Sequence, residues 1–184
     1  MSTEKFQNRF RTASVRAAWH DYNQGSYFIT ICTQNREHYF GLISEGKMSL
    51  SGIGLHTEDC IRNIETLHKG VYVPTFQVMP NHIHMIIIVD RVTVPTPINF
   101  VVERQQRQVK DEYMQHVALR CGDLSHLISR FKRAVTWFAN KNHIPFAWQS
   151  RFHDHIIRNQ MEMNRITKYI QNNVVNWCND RFFD

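Results

Sequence analysis

The chain has 184 residues, of which 42% are hydrophobic and 21% are charged, and its formal net charge is +6. This composition is typical of a folded globular domain and excludes a disordered or fibrous chain. The basic surplus favours a polyanionic partner such as nucleic acid, although it does not identify one. We therefore interpret residues 1–184 as a single domain.

The first third of the chain predicts two strands and a turn before the first helix. Residues 1–25 are polar and basic and are expected to form a loosely held arm. The run "SYFITICTQ", residues 26–34, is rich in β-branched and aromatic side chains and predicts the first strand. Residues 48–50 predict a short extra strand, and "SGIG", residues 51–54, predicts a turn.

A helix and a second strand are predicted next. Apolar residues at helical spacing predict a helix over 57–69, with Thr57 as the cap at its start and Gly70 after its end. The run "VYVPTFQVM", residues 71–79, predicts the second strand. Pro74 within this run indicates a sheet edge or a bulge, because proline cannot donate a ladder hydrogen bond.

The middle of the chain predicts a hairpin followed by a variable segment. A tight Pro80-Asn81 connection leads into residues 84–90, whose almost continuous apolar run predicts a third strand buried on both faces. The second and third strands are close enough to pair as a hairpin. Residues 91–124 are charged and contain prolines, and we interpret them as an insertion or variable segment.

The last third predicts a helix, a strand and a final helix. Ser125 is expected to cap a helix over 125–141, residues 150–158 predict the fourth strand, and the final helix covers 161–175. The apolar stripe predicted for the first of these helices comprises Leu127, Phe131, Ala134, Val135 and Phe138. The stripe predicted for the final helix comprises Met163, Ile166, Ile170 and Val174.

The order of these elements is β–α–β–β–α–β followed by a helix. This order predicts an α+β, ferredoxin-like split βαβ sandwich, in which an antiparallel sheet carries helices on one face. The additional C-terminal helix bears a tyrosine, Tyr169.

Cysteine spacing and hydropathy indicate the cellular compartment. The four cysteines are Cys32, Cys60, Cys121 and Cys178, and no C-x-x-C pair exists. A zinc ribbon and a disulfide scaffold are therefore disfavoured, and free thiols are expected. The N-terminal residues contain no apolar segment of signal-peptide length, and the longest apolar run, 85–89, is too short to span a bilayer. We expect a cytoplasmic protein with no membrane partner.

"MPNHIHMIII", residues 79–88, places His82 and His84 two positions apart at the start of the third strand. Side chains two apart on a strand point to the same face, so the two imidazoles should project together. Imidazole is the commonest side-chain metal ligand, whereas burying two imidazoles without partners would be costly. The pair is a candidate cation site, and the alternative is two core histidines satisfied by backbone groups.

His153 and His155 form a second pair with the same spacing on the fourth strand. The residue between them is the charged Asp154, which would share the opposite face with Phe152 and Ile156. We interpret these histidines as surface groups, or as groups that support a site without entering it.

Tyr169 and Asn173 are four positions apart and share one flank of the final helix, beside its apolar stripe. A tyrosine in this position usually packs its ring and exposes its hydroxyl at the rim of the core. The alternative is an accessible nucleophile next to an amide, and the spacing alone does not decide between the two.

Three segments in this order, "MPNHIHMIIIV", "AWQSRFHDHIIRN" and "ITKYIQNNVVNW", resemble the HUH-type single-tyrosine transposases, and among them the REP-associated tyrosine transposase branch. HUH denotes histidine, a hydrophobic residue and histidine, here His82-Ile83-His84. The early "YFITICTQNREHYF" is also similar to that family's first strand and following loop, so the resemblance extends over about residues 27–177. One departure is the 91–124 segment, which is longer and more charged than the family's minimal core needs.

The resemblance implies a ferredoxin-like fold that cleaves and rejoins single-stranded, hairpin-containing DNA through a 5′-phosphotyrosine intermediate. It implies Tyr169 as the nucleophile and His82, His84 and Asn173 as ligands of a divalent metal. Two imidazoles and an amide oxygen suit Mg²⁺ or Mn²⁺, and the nitrogen ligands favour Mn²⁺. A homodimer is possible, and whether the tyrosine serves the histidines of its own chain or of a second copy stays open.

Basic and aromatic side chains supply candidate DNA contacts. The candidate cations are Arg130, Lys132, Arg133, Arg151, Arg158, Arg165 and Lys168, and the alternative for them is a solvated helix face. The candidates for base stacking are Phe131, Trp148 and Phe152, for which the alternative is core packing.

Three competing functions remain at this stage. A non-catalytic ferredoxin-like nucleic-acid-binding domain would explain the charge and the fold, and would need neither His82 nor Tyr169. A metal-dependent hydrolase would use His82 and His84, with His153 or His155, to activate water. A replication-initiator relaxase would share the tyrosine chemistry but usually belongs to a larger chain.

Overall fold

The computed structural model of the protein describes residues 5–6, 9–10, 22–90 and 122–183. The strands are β1 (Lys5–Phe6), β2 (Arg9–Phe10), β3 (Gly25–Cys32), β4 (Gly41–Ser44), β5 (Lys47–Leu50), β6 (Val71–Val78), β7 (His82–Val89) and β8 (His153–Ile157). The α-helices are α1 (Gly52–Arg62), α2 (Ile64–Leu67), α3 (Gly122–Lys141) and α4 (Gln160–Asn172). Two short 3₁₀ helices cover Gln34–Arg36 and Trp177–Asn179.

The central sheet has four antiparallel strands in the order β6-β7-β3-β8. Thr30 of β3 pairs with His84 of β7 on one side and with His153 of β8 on the other. This strand order, with α1 and α3 as crossover helices, confirms the predicted α+β split βαβ fold. β6 and β7 form the predicted hairpin, while β1–β2 and β4–β5 are separate two-stranded pairs.

Pro74 interrupts the outer strand β6 as expected. The pairing register between β6 and β7 shifts between Tyr72 and Thr75. Because proline has no N–H to donate, a bulge on an edge strand accommodates it without loss of a central ladder bond.

The two faces of the sheet carry different layers. Six side chains of β3 and β7 that share one face are fully buried, namely Tyr27, Ile29, Ile31, Ile83, Met85 and Ile87. Helices α1 and α3 pack on this core face. Helix α4 packs on the other face, where Ile166 and Ile170 join Ile86 and Ile157 in a separate cluster. The tyrosine-bearing helix and the crossover helices therefore lie on opposite sides of the sheet.

The predicted turn over 51–54 and the predicted cap at Thr57 are both wrong. Helix α1 already begins at residue 52, and the Ser51 hydroxyl accepts a hydrogen bond from the Gly54 N–H at 3.1 Å, which makes Ser51 the cap. Gly54 is required by packing, because a Cβ there would lie 2.1 Å from the Phe40 carbonyl oxygen. The glycine that indicates a turn in the sequence instead permits a close helix contact.

Helices α3 and α4 also differ from the sequence expectation at their ends. Ser125 is not the cap of α3, because the chain is helical from Gly122. Ala134 is exposed and does not belong to the buried stripe. Helix α4 ends at Asn172, so Val174 lies beyond it and packs against a small C-terminal cluster.

Parts of several predictions lie outside the described residues. Of the arm expected over 1–25, the structure describes the β1–β2 pair and residues 22–25; of the segment expected over 91–124, it describes residues 122–124, where α3 begins. Within the described ranges the free thiols are Cys32, Cys60 and Cys178, whereas Cys121 falls outside them. No helix in those ranges combines the length and the apolar character that crossing a bilayer requires.

Candidate active site

Strand β7 places both of its histidines on the face opposite the core. His82 and His84 alternate with the core residue Ile83, and both imidazoles are completely buried. Their ring centroids lie 4.5 Å apart. The expected common direction of the two side chains is therefore observed, and their burial requires polar partners.

Each histidine has a polar partner on its Nδ1 atom. His82 Nδ1 lies 2.8 Å from Asn81 Oδ1, and His84 Nδ1 lies 2.9 Å from the Thr30 hydroxyl. These contacts occupy Nδ1 of each ring and leave Nε2 as the nitrogen available for other partners. His82 Nε2 is buried without a hydrogen-bond partner. An unpaired buried polar atom costs about 1–3 kcal/mol, so this atom marks a place where a ligand would be stabilised.

Tyr169 on α4 reaches the histidines of its own chain. Its hydroxyl lies 3.3 Å from His84 Nε2 and donates a long hydrogen bond of 3.4 Å to Asp180 Oδ2. The phenol ring packs edge-on against Phe28, with 6.0 Å between centroids, and 42% of the surface of Tyr169 is exposed. One chain therefore brings an accessible hydroxyl and a buried imidazole pair together.

Asn173 follows the last helical residue of α4 and is buried beside this group. Its Nδ2 atom has no hydrogen-bond partner. The Asn173 side chain also acts on the neighbouring phenol, since burial raises the pKa of Tyr169 and Asn173 acts against this rise. The role of Asn173 as a metal ligand stays a prediction.

Asp180 is a site residue that the sequence analysis missed. One ligand atom from each of His82, His84 and Asp180 lies within 4.8 Å of the other two. The residue follows the second 3₁₀ helix on a segment that is held down by aromatic contacts, because the Phe182 ring lies 4.5 Å from the His82 ring. No spacing rule connects a residue in such a segment to a distant strand, so only tertiary structure identifies it.

The electrostatics of the site favour neutral imidazoles. Burial lowers the pKa of His82 well below its usual range, and His84, Arg181 and Arg36 act in the same direction. Burial, with a smaller contribution from Arg181, lowers the pKa of His84 to about 3. Both rings are then neutral near pH 7 and can offer a nitrogen lone pair to a cation.

The phenol has the opposite tendency. Burial, and after it the negative charge of Asp180, raise the pKa of Tyr169 above its ordinary value. The hydroxyl therefore keeps its proton at neutral pH and needs an acceptor before it can act as a nucleophile.

The donor set fits a divalent cation. His82, His84 and Asp180 could hold a metal ion through two nitrogens and one carboxylate oxygen. The carboxylate supplies a negative charge that the set expected from the sequence lacked, and the unpaired His82 Nε2 is an atom that an ion would satisfy.

Two of the basic side chains that are candidates for DNA binding lie next to Tyr169. Arg165 and Lys168 line a groove of about 250 Å³ together with Tyr169, Asn172, Asn173 and Asn176. Arg158 lies before the start of α4, and its backbone N–H donates to Glu162 at 3.0 Å. This flank of α4 combines positive charge with amide groups at the edge of the site.

The other basic side chains that are candidates for DNA binding lie away from the histidines. Arg130, Lys132 and Arg133 belong to α3, which packs on the core face, so the sheet separates them from the imidazoles. Lys132 Nζ donates to the backbone carbonyls of Gln149 and Arg151, at 2.9 and 3.0 Å, and thereby holds the segment that precedes β8.

The second histidine pair and the aromatic candidates also have defined places. The register puts His153 and His155 on the histidine face, at the outer strand β8, and both are exposed as expected. His155 Nε2 lies 2.8 Å from Glu162. Among the stacking candidates, Phe131 is buried in the core cluster, and Trp148 and Phe152 pack against that cluster.

Comparison with known protein sequences identifies a related protein. No family model matches it. An uncharacterized protein of Haemophilus influenzae is 33% identical over 173 residues, which cover 92% of each chain. Our chain belongs to the same family as this Haemophilus protein. Because that relative carries no stated activity, the family alone does not name a reaction.

One solved structure shares the fold of this chain. A REP-associated tyrosine transposase bound to a REP hairpin aligns with a TM-score of 0.55 and 17% identity, over 90% of our chain and 74% of that one. At this identity the likeness establishes a shared fold. A putative transposase from Deinococcus radiodurans aligns over 86% of our chain and 97% of its own, with 13% identity and a TM-score of 0.42, which is too low to carry an inference.

Proposed function

We propose that this chain is an HUH-type single-tyrosine transposase that cleaves and rejoins single-stranded, hairpin-containing DNA through a 5′-phosphotyrosine intermediate. The observation that carries the proposal is the 3.3 Å separation between the Tyr169 hydroxyl and His84 Nε2, beside the His82, His84 and Asp180 donor cluster. The fold shared with a REP-associated transposase bound to a REP hairpin supports the same choice.

In this proposal His82, His84 and Asp180, with Asn173 at their side, would hold Mg²⁺ or Mn²⁺. Such an ion, when bound, supplies Lewis-acid stabilisation to a non-bridging phosphate oxygen and fixes the orientation of the phosphodiester. Neutral imidazoles leave the net charge of the site low, so that an anionic backbone can approach it.

Tyr169 and Asp180 would carry out the covalent step. The phenolic oxygen forms a bond to phosphorus while the bond from phosphorus to the 3′ oxygen breaks, which leaves a 5′-phosphotyrosine and a 3′-hydroxyl. Asp180, 3.4 Å from the hydroxyl, accepts the phenol's proton and can deliver it to the departing oxygen. Rejoining reverses these transfers, and the bond energy stored in the phosphotyrosine makes ATP unnecessary.

The groove beside Tyr169 would guide the strand. Arg165 and Lys168 would contact backbone phosphates, and Asn172 and Asn176 would hydrogen-bond bases, because all four line the groove. We further propose that the reaction takes place in the cytoplasm. A homodimer stays a prediction, because one chain already supplies both the phenol and the imidazoles.

A covalent-adduct assay tests the proposal. Hairpin oligonucleotides labelled at either end are incubated with the protein and Mn²⁺ or Mg²⁺ and then separated under denaturing conditions. The 3′-labelled strand should migrate with the protein, and the 5′-labelled strand should yield a shorter free fragment. Tyr169→Phe should lower adduct formation by at least about a thousandfold, because the nucleophile is removed.

Tyr72→Phe is the matched control, since Tyr72 is similarly exposed but lies on the outer strand β6. It should form the adduct at the normal rate. Cleavage without an adduct, undiminished in Tyr169→Phe, would indicate a hydrolase instead. Binding without cleavage, across all metals and hairpins tried, would indicate a non-catalytic binding domain.

A further inference from the structure

Asn81 occupies the turn between β6 and β7, immediately before the histidine pair. It is a buried polar residue, with 1% of its surface exposed. Its backbone carbonyl accepts a hydrogen bond from the Thr33 N–H at 2.9 Å, so the residue is anchored to the end of β3. A buried amide side chain held this firmly has little freedom to choose other partners.

The two ends of the Asn81 amide contact different groups. Nδ2 donates to the backbone carbonyl of Phe182 at 2.8 Å, and Oδ1 lies 2.8 Å from His82 Nδ1. A carbonyl oxygen only accepts hydrogen bonds, so the amide cannot be reversed without placing two oxygens in contact. Oδ1 therefore faces the imidazole, and the proton between them must sit on His82 Nδ1.

This assignment determines the state of the other ring nitrogen. In a neutral imidazole with its proton on Nδ1, Nε2 carries a free lone pair. His82 Nε2 is buried without a hydrogen-bond partner, and His82 offers one ligand nitrogen within 4.8 Å of ligand atoms of His84 and Asp180. Because Nδ1 is occupied by Asn81, the unprotonated Nε2 is the nitrogen of His82 that can serve as a ligand in the donor cluster.

We propose that Asn81 is a positioning residue: it holds His82 in the tautomer whose Nε2 can ligate a divalent cation. The inference rests on the proposed function for the identity of the ligand, but the tautomer itself requires neither DNA nor metal. The same amide also binds the backbone of Phe182 in the segment 177–183. The position of that segment and the orientation of the His82 imidazole are therefore linked.

Two substitutions at this position separate its contacts. Asn81→Leu keeps the approximate volume and removes both hydrogen bonds. Asn81→Asp keeps an acceptor for His82 Nδ1–H but loses the donor to Phe182. If Asn81 fixes the tautomer, His82 should keep its proton on Nδ1 in Asn81→Asp but not in Asn81→Leu. If Asn81 only shapes the turn, the His82 tautomer should not depend on which residue replaces it.

The direct measurement is long-range ¹H–¹⁵N NMR of metal-free protein, which distinguishes protonated from unprotonated ring nitrogens. His82 should carry its proton on Nδ1 in the native chain and in Asn81→Asp, and should become a tautomer mixture in Asn81→Leu. Titration with Mn²⁺ alone should give about 10–100-fold weaker binding for Asn81→Leu, the usual effect of losing a group that orients a ligand. Asn164→Leu, on the exposed side of α4, is the control and should change neither result.

Each result decides a definite point. A native His82 that carries its proton on Nε2, or a tautomer that is unchanged in folded Asn81→Leu, overturns the inference. Unchanged Mn²⁺ affinity in that variant overturns the positioning role. If the native chain binds neither Mn²⁺ nor Mg²⁺, the proposed function fails, and the tautomer shift alone then decides the role of Asn81.

Discussion

Around His82 and His84, the two faces of strand β7 are equally buried but differ in chemistry. On the core face, Ile83 and its neighbours are apolar and pack against α1 and α3. On the site face, the next residues along the same strand are His82 and His84, completely buried and held by Asn81 and Thr30. Burial therefore serves packing on one side of the strand and the positioning of donor atoms on the other.

The difference teaches where stability and function reside. Core positions are satisfied by volume alone, so any well-fitting apolar side chain suffices. Site positions leave His82 Nε2 and Asn173 Nδ2 unpaired, which lowers stability unless a ligand is bound. Substitutions on the core face should therefore lower stability, and substitutions on the site face should lower activity.

The largest expected effect compares neighbouring residues of β7. Ile83→Ala should lower the free energy of unfolding by about 3 kcal/mol, because it leaves a cavity in the core. His84→Leu should cost only about 1 kcal/mol, since it preserves volume, but should abolish Mn²⁺ binding. Urea unfolding and calorimetric titration measure the two quantities. A greater loss of stability in His84→Leu would mean that the polar face stabilises the fold.

The site face should also make stability sensitive to acid. Burial holds the pKa of His84 at about 3, below the ordinary 6.5, so its contribution is present above pH 6.5 and is lost as the pH falls towards the folded value. Between pH 7.5 and 5 the loss should be about 2 kcal/mol, and His82 should add to it in the same direction. Urea unfolding of metal-free protein at the two pH values measures this, and His84→Leu should flatten the dependence.

Asp180 should affect both the pKa of the Tyr169 phenol and the affinity for the metal ion. Asp180→Asn removes a charge that raises the pKa of Tyr169, so the phenol should titrate at lower pH in an ultraviolet difference titration. Mn²⁺ affinity should fall about tenfold, or ~1.4 kcal/mol, because a charged ligand is lost. Asp90→Asn, just after the far end of β7, is the control. An unchanged affinity would exclude Asp180 from the donor set.

The smallest expected effect concerns charge on the two faces. Arg165→Gln with Lys168→Gln removes two cations beside the tyrosine, and Arg130→Gln with Arg133→Gln removes two from α3. The first pair should weaken single-stranded DNA binding and lower the slope of its salt dependence by about 1.4, since each of the two lost phosphate contacts contributes about 0.7. Filter binding over a salt series measures both slopes. An equal effect of the second pair would place DNA on the core side as well.

Sequence reasoning succeeded where local pattern decides structure. Alternation along β7 predicted that His82 and His84 point together, and the order of elements predicted the sheet. It failed at Ser51 and Gly54, because a turn and a capped helix with a close contact use the same residue types. It also failed at Asp180, whose position depends on where Phe182 packs. Which face α3 takes, and hence where its arginines lie, is likewise a tertiary property.

The aromatic cover of the histidine pair has a kinetic consequence. Trp177 and Phe182 lie against the His82 ring, with centroid separations of 5.9 and 4.5 Å, and neither imidazole has exposed surface. A hydrated ion must shed water and wait for a local opening before it reaches these nitrogens. Reactions started by adding metal last should therefore begin with a lag that disappears after preincubation.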